Sequence, residues 1–87
     1  MRVIQTTQFR KDLKMQHKRG KDPQKVKDII ALLLSGESLP ARNRAHALTG
    51  NWSGWRDCHL EPDRVLIYKI LSDELILGRT GTHSDLF

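Results

Sequence analysis

The chain has very little cysteine: Cys58 is the only one among 87 residues. A single cysteine excludes an intrachain disulfide and any zinc module built from several cysteines. The absence of a disulfide framework is typical of a reducing compartment, so we expect a cytoplasmic protein. Cys58 falls in a predicted strand, where we expect a small core residue rather than a nucleophile.

Long hydrophobic runs are also absent. The longest extends from Ile29 to Leu34, whereas a membrane-spanning helix needs about 20 apolar residues. The first residues, MRVIQT, become polar at once and lack the apolar segment of a secretion signal. We therefore expect a protein that is neither exported nor inserted in a membrane.

Negative charge is scarcer than positive charge. The chain has 15 Lys and Arg against 10 Asp and Glu, a net charge of +5. This balance favours a polyanionic partner: nucleic acid first, then a ribosomal surface or an acidic protein, and last an anionic membrane. Alternatively, the protein is merely basic.

The first half of the chain predicts two helices. A short strand at residues 3–4 precedes a helix that Thr6 or Thr7 caps and that ends near Gly20. Asp22-Pro23 is a typical start for a second helix, whose apolar stripe ends at residues 35–36. The two helices form a hairpin with lysines outside and a stripe that needs a sheet to cover it.

The second half predicts strands. Residues 37–54 are irregular, strands follow at 55–60, 65–71 and 75–80, and residues 81–87 form a short tail. The order β-α-α-β-β-β predicts an α+β, two-layer domain over residues 1–87, with the helical hairpin packed on one face of a small antiparallel sheet. We assign the Arg56/Cys58/Leu60 face to the helices, because the Trp55/Asp57/His59 face is polar.

Three of the four histidines, His46, His59 and His83, lie in the second half among carboxylates and arginines. Histidine both takes and gives a proton near neutral pH, because its ordinary pKa is about 6.5. RNA cleavage by internal attack needs a base for the 2′-OH, an acid for the departing 5′ oxygen and a cation for the charge on phosphorus. The histidines therefore indicate metal-independent cleavage of RNA, which would spare DNA.

Each of these residues also has a simpler interpretation. His59, Glu61 and Asp63 alternate along the chain, so they could bind zinc or manganese, or lie in a solvated turn. His46 and His83 could be exposed loop and tail residues. Spacing alone does not decide between these interpretations.

The other candidates leave alternatives open as well. Arg79 could contact phosphate or form a salt bridge. Trp52 and Trp55 could stack on RNA bases or pack in the core. Phe87 could pack into the domain or stack on a ligand.

Three motifs resemble those of the YafQ branch of the RelE/ParE toxin superfamily. H-x-L-x-G-x-W begins at His46, R-D-x-H-x-x-P-D at Arg56 and G-[TS]-H-x-x-L-F at Gly81. The resemblance covers nearly the whole chain and implies a RelE-like fold. It also implies a type II toxin–antitoxin toxin that enters the ribosomal A site and cuts mRNA there, leaving 2′,3′-cyclic phosphate and 5′-OH ends.

The resemblance implies a role for each matching residue. His83 is the expected acid for the leaving 5′ oxygen, and His46 or Asp63 is the expected base or its electrostatic support. His59 is expected to orient groups or stabilise charge, and Phe87 to pack on an mRNA base. No metal or other cofactor is implied.

Further residues are candidate RNA contacts, and the basic helices are implied to lie against 16S rRNA. These candidates are Arg56, Arg79, Trp52, Lys11, Lys14 and Lys18. One departure from the family is Arg64, where relatives are expected to have an aromatic residue, so no stacking role is carried over to that position.

The resemblance also implies partners: an acidic antitoxin of the RelB/DinJ kind, and operator DNA bound only through the toxin–antitoxin complex. A disordered acidic segment can wrap a large surface of a basic toxin as it folds. Two other functions stay open: a ParE-like inhibitor of DNA gyrase with the same fold, and a non-catalytic RNA- or ribosome-binding module.

Overall fold

The computed structural model describes residues 1–87. Its strands and α-helices, in chain order, are β1 (Arg2–Gln5), α1 (Thr7–Lys18), α2 (Pro23–Ser35), β2 (His46–Ala47), β3 (Arg56–Glu61), β4 (Arg64–Leu71), β5 (Glu74–Gly81) and α3 (His83–Leu86). Two single-turn 3₁₀ helices, Ala41–Asn43 and Gly50–Trp52, flank β2. None of the helices has the length and apolar character needed to cross a membrane.

Local capping explains where the two long helices begin. The Thr6 hydroxyl accepts a hydrogen bond from the Phe9 amide at 3.0 Å, and the Asp22 carboxylate accepts one from the Gln24 amide at 2.9 Å. Each satisfies an amide that the first turn of a helix leaves unpaired. α2 ends at Gly36, whose φ of 77° is left-handed and therefore suits glycine. The helix positions predicted from the sequence are confirmed.

The sheet is mixed, which corrects the prediction of a wholly antiparallel one. Its strand order is β1-β5-β4-β3-β2, and β1 runs parallel to β5 while the other neighbours are antiparallel. From β1 the chain passes through the helical hairpin to β2 at the opposite edge of the sheet, and it returns through β3 and β4 to β5, which lies beside β1. β2 lies within residues 37–54, which were expected to be irregular. The sequence could not predict it, because a strand of two residues is too short to show an alternating pattern.

The helices cover one face of the sheet, as predicted. The main core consists of Phe9, Val26, Ile29, Leu33, Cys58, Leu60, Leu66, Tyr68, Leu75 and Leu77. Cys58 and Leu60 belong to it, so the assignment of that face of β3 to the helices is confirmed. Burial raises the pKa of the Cys58 thiol to about 12, which keeps the thiol protonated and unreactive at neutral pH.

The opposite face carries a second, smaller cluster. Its buried members are Val65 and Ile67 on β4 and Leu86 on α3, with Leu48, Trp52 and Trp55 packed against them. Residues 81–87, expected to be a tail, contain α3, because the Thr82 hydroxyl and the Asp85 carboxylate each accept from the other's backbone amide. Leu86 therefore holds this one-turn helix against the sheet.

Candidate active site

Cross-strand pairing brings His46 and His59 to the same face of the sheet. His46 on β2 lies opposite Asp57 on β3, and His59 lies opposite Val65 on β4. Side chains two positions apart on a strand share a face and are separated by about 7 Å. Val65 belongs to the small cluster that contains Leu86, so α3 packs on this same face.

His83, the first residue of α3, makes the contacts that define the site. Its Nδ1 lies 3.3 Å from Oδ1 of Asp63, and its backbone amide donates to the same oxygen at 3.4 Å. The ring centroids of His59 and His83 are 5.3 Å apart, and those of His83 and Phe87 are 6.0 Å apart. The structure thus brings together four of the five candidate catalytic residues.

The fifth, His46, lies beside the carboxylate of Asp57, which was not among the predicted site residues. Its Nδ1 forms a hydrogen bond with the Arg44 carbonyl oxygen at 2.9 Å and lies 3.0 Å from Oδ1 of Asp57. The Asp57 contact is electrostatic, because Oδ1 has no hydrogen-bond partner. A nitrogen that faces two acceptors carries the proton, which leaves the lone pair of a neutral His46 on Nε2.

Asp57 is buried, and its one salt-bridge partner is His46. A buried carboxylate beside an imidazole stabilises the ring when it takes up a proton. The sequence did indicate that Asp57 lies on the same face as His59, because the two residues are two positions apart in a predicted strand. Its partner could not be identified, because His46 reaches it through the unpredicted strand β2.

Phe87 is not packed into the domain. Its side chain is 58% exposed, although its ring lies beside that of His83. Of the two interpretations left open by the sequence, the structure favours a ring that is available to stack on a ligand.

Arg79 forms the salt bridge that was one of its two interpretations. Its Nε and one terminal nitrogen each lie 3.0 Å from a carboxylate oxygen of Asp12, which raises the Arg79 pKa. Asp12 also accepts from the Thr80 amide at 3.2 Å and from the Gln8 side chain at 3.1 Å. The cluster joins α1 to β5, so the Arg79 guanidinium is already paired.

Other candidate RNA contacts lie outside the histidine cluster. Arg56 and His59 lie three positions apart on β3, so they lie on opposite faces of the sheet, and Arg56 is on the face that the helices cover. Trp52 packs edge to face against Trp55, with ring centroids 5.6 Å apart and planes at 90°. Three lysines are exposed along α1: Lys11, Lys14 and Lys18.

Arg64, at the position expected to be aromatic in relatives, is only 1% exposed. Its guanidinium donates to the Asp22 carbonyl oxygen at 2.8 Å and lies 3.4 Å from Oε1 of Glu61. The side chain therefore ties the β3–β4 turn to the start of α2 and has no surface on which a base could stack.

Among residues 1–87, no three His, Cys, Asp or Glu side chains are grouped as a metal site requires. His59, Glu61 and Asp63, considered above as possible ligands, do not form such a group. The arrangement instead contains two imidazole–carboxylate pairs, His46–Asp57 and His83–Asp63. His59 lies beside His83 and two positions after Asp57 on β3.

Comparison with known proteins identifies the family. A family model for the YafQ bacterial toxin of type II toxin–antitoxin systems matches residues 1–87. This chain belongs to the YafQ family. It is 47% identical over 81 residues to the mRNA interferase toxin YafQ of Escherichia coli K12, covering 92% of this chain and 88% of that protein.

Solved structures of YafQ agree with this fold. The crystal structure of YafQ from E. coli BL21(DE3) matches with a TM-score of 0.94 and 43% identity, covering 100% of this chain and 99% of that one. The toxin of the E. coli DinJ–YafQ complex matches with a TM-score of 0.92 and 44% identity, over the same shares. The family and the RelE-like α+β fold inferred from the motifs are therefore confirmed.

Proposed function

We propose that this YafQ-family toxin is a ribosome-dependent, metal-independent endoribonuclease that cuts mRNA in the A site by attack of the 2′-OH. The observation that carries the proposal is the pair of imidazole–carboxylate contacts, His46–Asp57 and His83–Asp63, on one face of the sheet. Its 47% identity to an E. coli mRNA interferase toxin supports the same activity.

His46 acts as the base. Its Nδ1 faces the Arg44 carbonyl and Asp57, so the Nε2 lone pair is the one free to accept the 2′-OH proton. The buried Asp57 carboxylate stabilises the imidazolium that forms. Positioned proton transfer of this kind contributes about 10²–10⁴-fold to a rate.

His83 acts as the acid. Its Nδ1 faces Asp63, so Nε2 delivers the proton to the departing 5′ oxygen, and Asp63 stabilises the cationic ring before transfer. His59, beside His83, supplies positive charge for the pentavalent phosphorus or orients the groups around it. Phe87 packs on an mRNA base.

The basic charge of α1 and the membership in the YafQ family support the proposed partners. The exposed lysines of α1, Lys11, Lys14 and Lys18, lie against 16S rRNA in the cytoplasm, with the strong salt dependence of phosphate contacts. An acidic antitoxin of the RelB/DinJ kind neutralises the toxin, as the E. coli DinJ–YafQ complex suggests. The antitoxin supplies the contact with operator DNA.

Primer extension on a defined mRNA in a reconstituted translation system tests this function. Wild type, His83→Ala and His17→Ala are compared with and without ribosomes; His17 is an exposed histidine of α1 and serves as the matched control. We expect codon-phased cuts with cyclic phosphate ends from wild type and His17→Ala, and none from His83→Ala. Free RNA should be cut far more slowly, because the ribosome aligns the mRNA.

Two results would contradict the proposal. Intact mRNA after incubation with wild type on ribosomes would point to a gyrase inhibitor or a non-catalytic ribosome-binding module. Equally fast cutting of naked RNA in EDTA would refute ribosome dependence while leaving the ribonuclease activity.

A further inference from the structure

A cleft of about 430 Å³ opens beside His59. Its walls are Lys25 from α2, residues 42–44 at the end of the first 3₁₀ helix, and residues 59–62 from β3 and its turn. The volume falls in the range of about 300–1,000 Å³ that is typical of small-ligand sites.

The charges that line the cleft are mostly positive. Lys25, Arg42 and Arg44 form no salt bridge and no side-chain hydrogen bond, whereas Glu61 lies 3.4 Å from the buried Arg64 guanidinium. Unpaired cations in a concave site concentrate the local potential and attract anions. Guanidinium groups in particular match the geometry of phosphate oxygens.

The segment that carries the two arginines is anchored to β3. Asn43 is buried, and its side-chain amide donates to the His59 carbonyl oxygen at 2.7 Å, which fixes the 3₁₀ helix to β3. Arg44 has left-handed backbone angles (φ 46°, ψ 46°), a conformation that costs energy for residues other than glycine. Its carbonyl oxygen accepts from His46, so the same backbone orients the base and places the arginines at the cleft.

We propose that this cleft binds an mRNA phosphodiester next to the one that is cut. The inference rests on the proposed function and adds a substrate subsite to it. His59 lines the cleft, and the centroid of its ring lies 5.3 Å from that of His83. An RNA strand that crosses His59 therefore has its scissile phosphate at His83 and a neighbouring phosphate at Lys25, Arg42 and Arg44.

The protein test is the double variant Lys25→Gln/Arg42→Gln. The matched control is Lys21→Gln/Arg2→Gln, which removes the same charge at two positions outside the cleft and outside α1 and α2. On ribosome-bound mRNA we expect KM to rise about tenfold with kcat nearly unchanged in the double variant, because the cleft binds ground state and transition state alike. The control should keep both wild-type constants. Arg44 is left intact because its backbone holds His46.

The RNA test places a neutral methylphosphonate at each linkage that flanks the cut. Wild type should cut one of these mRNAs about tenfold less efficiently, and the double variant should be indifferent to the same replacement, because the interaction is already lost. Thermal unfolding of both variants establishes that they fold.

Three outcomes would overturn the proposal. One is a double variant with wild-type KM. Another is a double variant that stays as sensitive as wild type to every methylphosphonate, which would mean that the cations contact rRNA instead. The third is no cutting by wild type at all, which would refute the proposed function and the cleft proposal with it. The first two outcomes would refute only the role of the cleft.

Discussion

At the residue scale, we expect the Asp57 carboxylate beside His46 to support the proposed proton transfer without contacting the RNA. Asp57→Asn keeps the volume of this buried side chain and removes its charge, so the imidazolium of His46 loses stabilisation. We expect kcat on ribosome-bound mRNA to fall about 10- to 100-fold, with little change in KM. Steady-state cleavage kinetics check this.

The exposed Asp28 of α2 provides a control for that substitution, since Asp28→Asn removes the same charge at a position outside the histidine cluster. Thermal unfolding should show that both variants are folded. An Asp57→Asn protein with wild-type kcat, or with the whole loss in KM, would remove Asp57 from the mechanism.

A second prediction concerns Gly78 on β5, whose backbone packs against the ring of Trp55. A Cβ at this position would lie 2.5 Å from Cζ3 of the Trp55 ring, closer than atoms can approach. Gly78→Ala should therefore destabilise the protein by about 1–3 kcal/mol, measured by chemical denaturation. Trp55→Leu should be less costly in the Gly78→Ala background than in wild type; equal costs would mean that the two residues do not clash.

At the scale of elements, α3 carries His83, the proposed general acid, and is held in place partly by charge. Arg19, at the end of α1, donates to Asp85 at 2.8 Å and holds the pKa of that carboxyl well below its usual range, with help from the Thr82 amide. The unfolded chain therefore binds the Asp85 proton more readily, so stability falls as pH falls. The contribution is complete above about pH 4, the ordinary aspartate pKa, and is lost below it.

Acid titration of the tryptophan fluorescence measures this effect, because Trp52 and Trp55 pack against the cluster that contains Leu86. Asp85→Asn should be less stable than wild type at neutral pH, and the difference should shrink steadily below about pH 4. A difference that stays constant down to pH 2 would show that the Asp85 charge does not fasten α3.

At the scale of the whole molecule, the reactivity of the Cys58 thiol should measure global unfolding. The thiol is fully buried in the main core, and burial raises its pKa to about 12. A disulfide reagent at pH 8 should therefore react only through unfolded molecules, at a rate that rises with denaturant in parallel with unfolding. The raised pKa also predicts stability that falls as pH rises above about 9, since only the unfolded chain releases the proton readily.

Fast labelling of native protein would contradict this prediction. The matched control is Ser84→Cys, which places a second thiol at an exposed position and should be labelled at once without denaturant.

How much of this molecule can be read from its sequence depends on the range of the forces involved. Thr6, Asp22 and Gly36 cap the ends of helices through contacts with residues next to them in the chain. The two long helices could therefore be predicted from the sequence. The parallel pairing of β1, the short strand β2 and the packing of α3 depend on distant partners, and the sequence missed them. The family motifs identified the catalytic candidates, and the motif at Arg56 contains Asp57. Neither the contact of Asp57 with His46 nor the basic cleft could be predicted, because both arise only when β2 and α2 meet β3.

The pairing of β1 with β5 also has a consequence for the order of folding. Residues 2–5 find their partners at 74–77, so the first strand must wait for most of the chain to be synthesised. Contacts this distant in sequence close slowly, and a chain emerging from the ribosome cannot form them early. His83 and Asp63 meet only after β5 and α3 have docked. An unfinished chain therefore lacks the assembled candidate site. If the proposed function holds, the ribosome that makes the toxin is not exposed to its activity during synthesis.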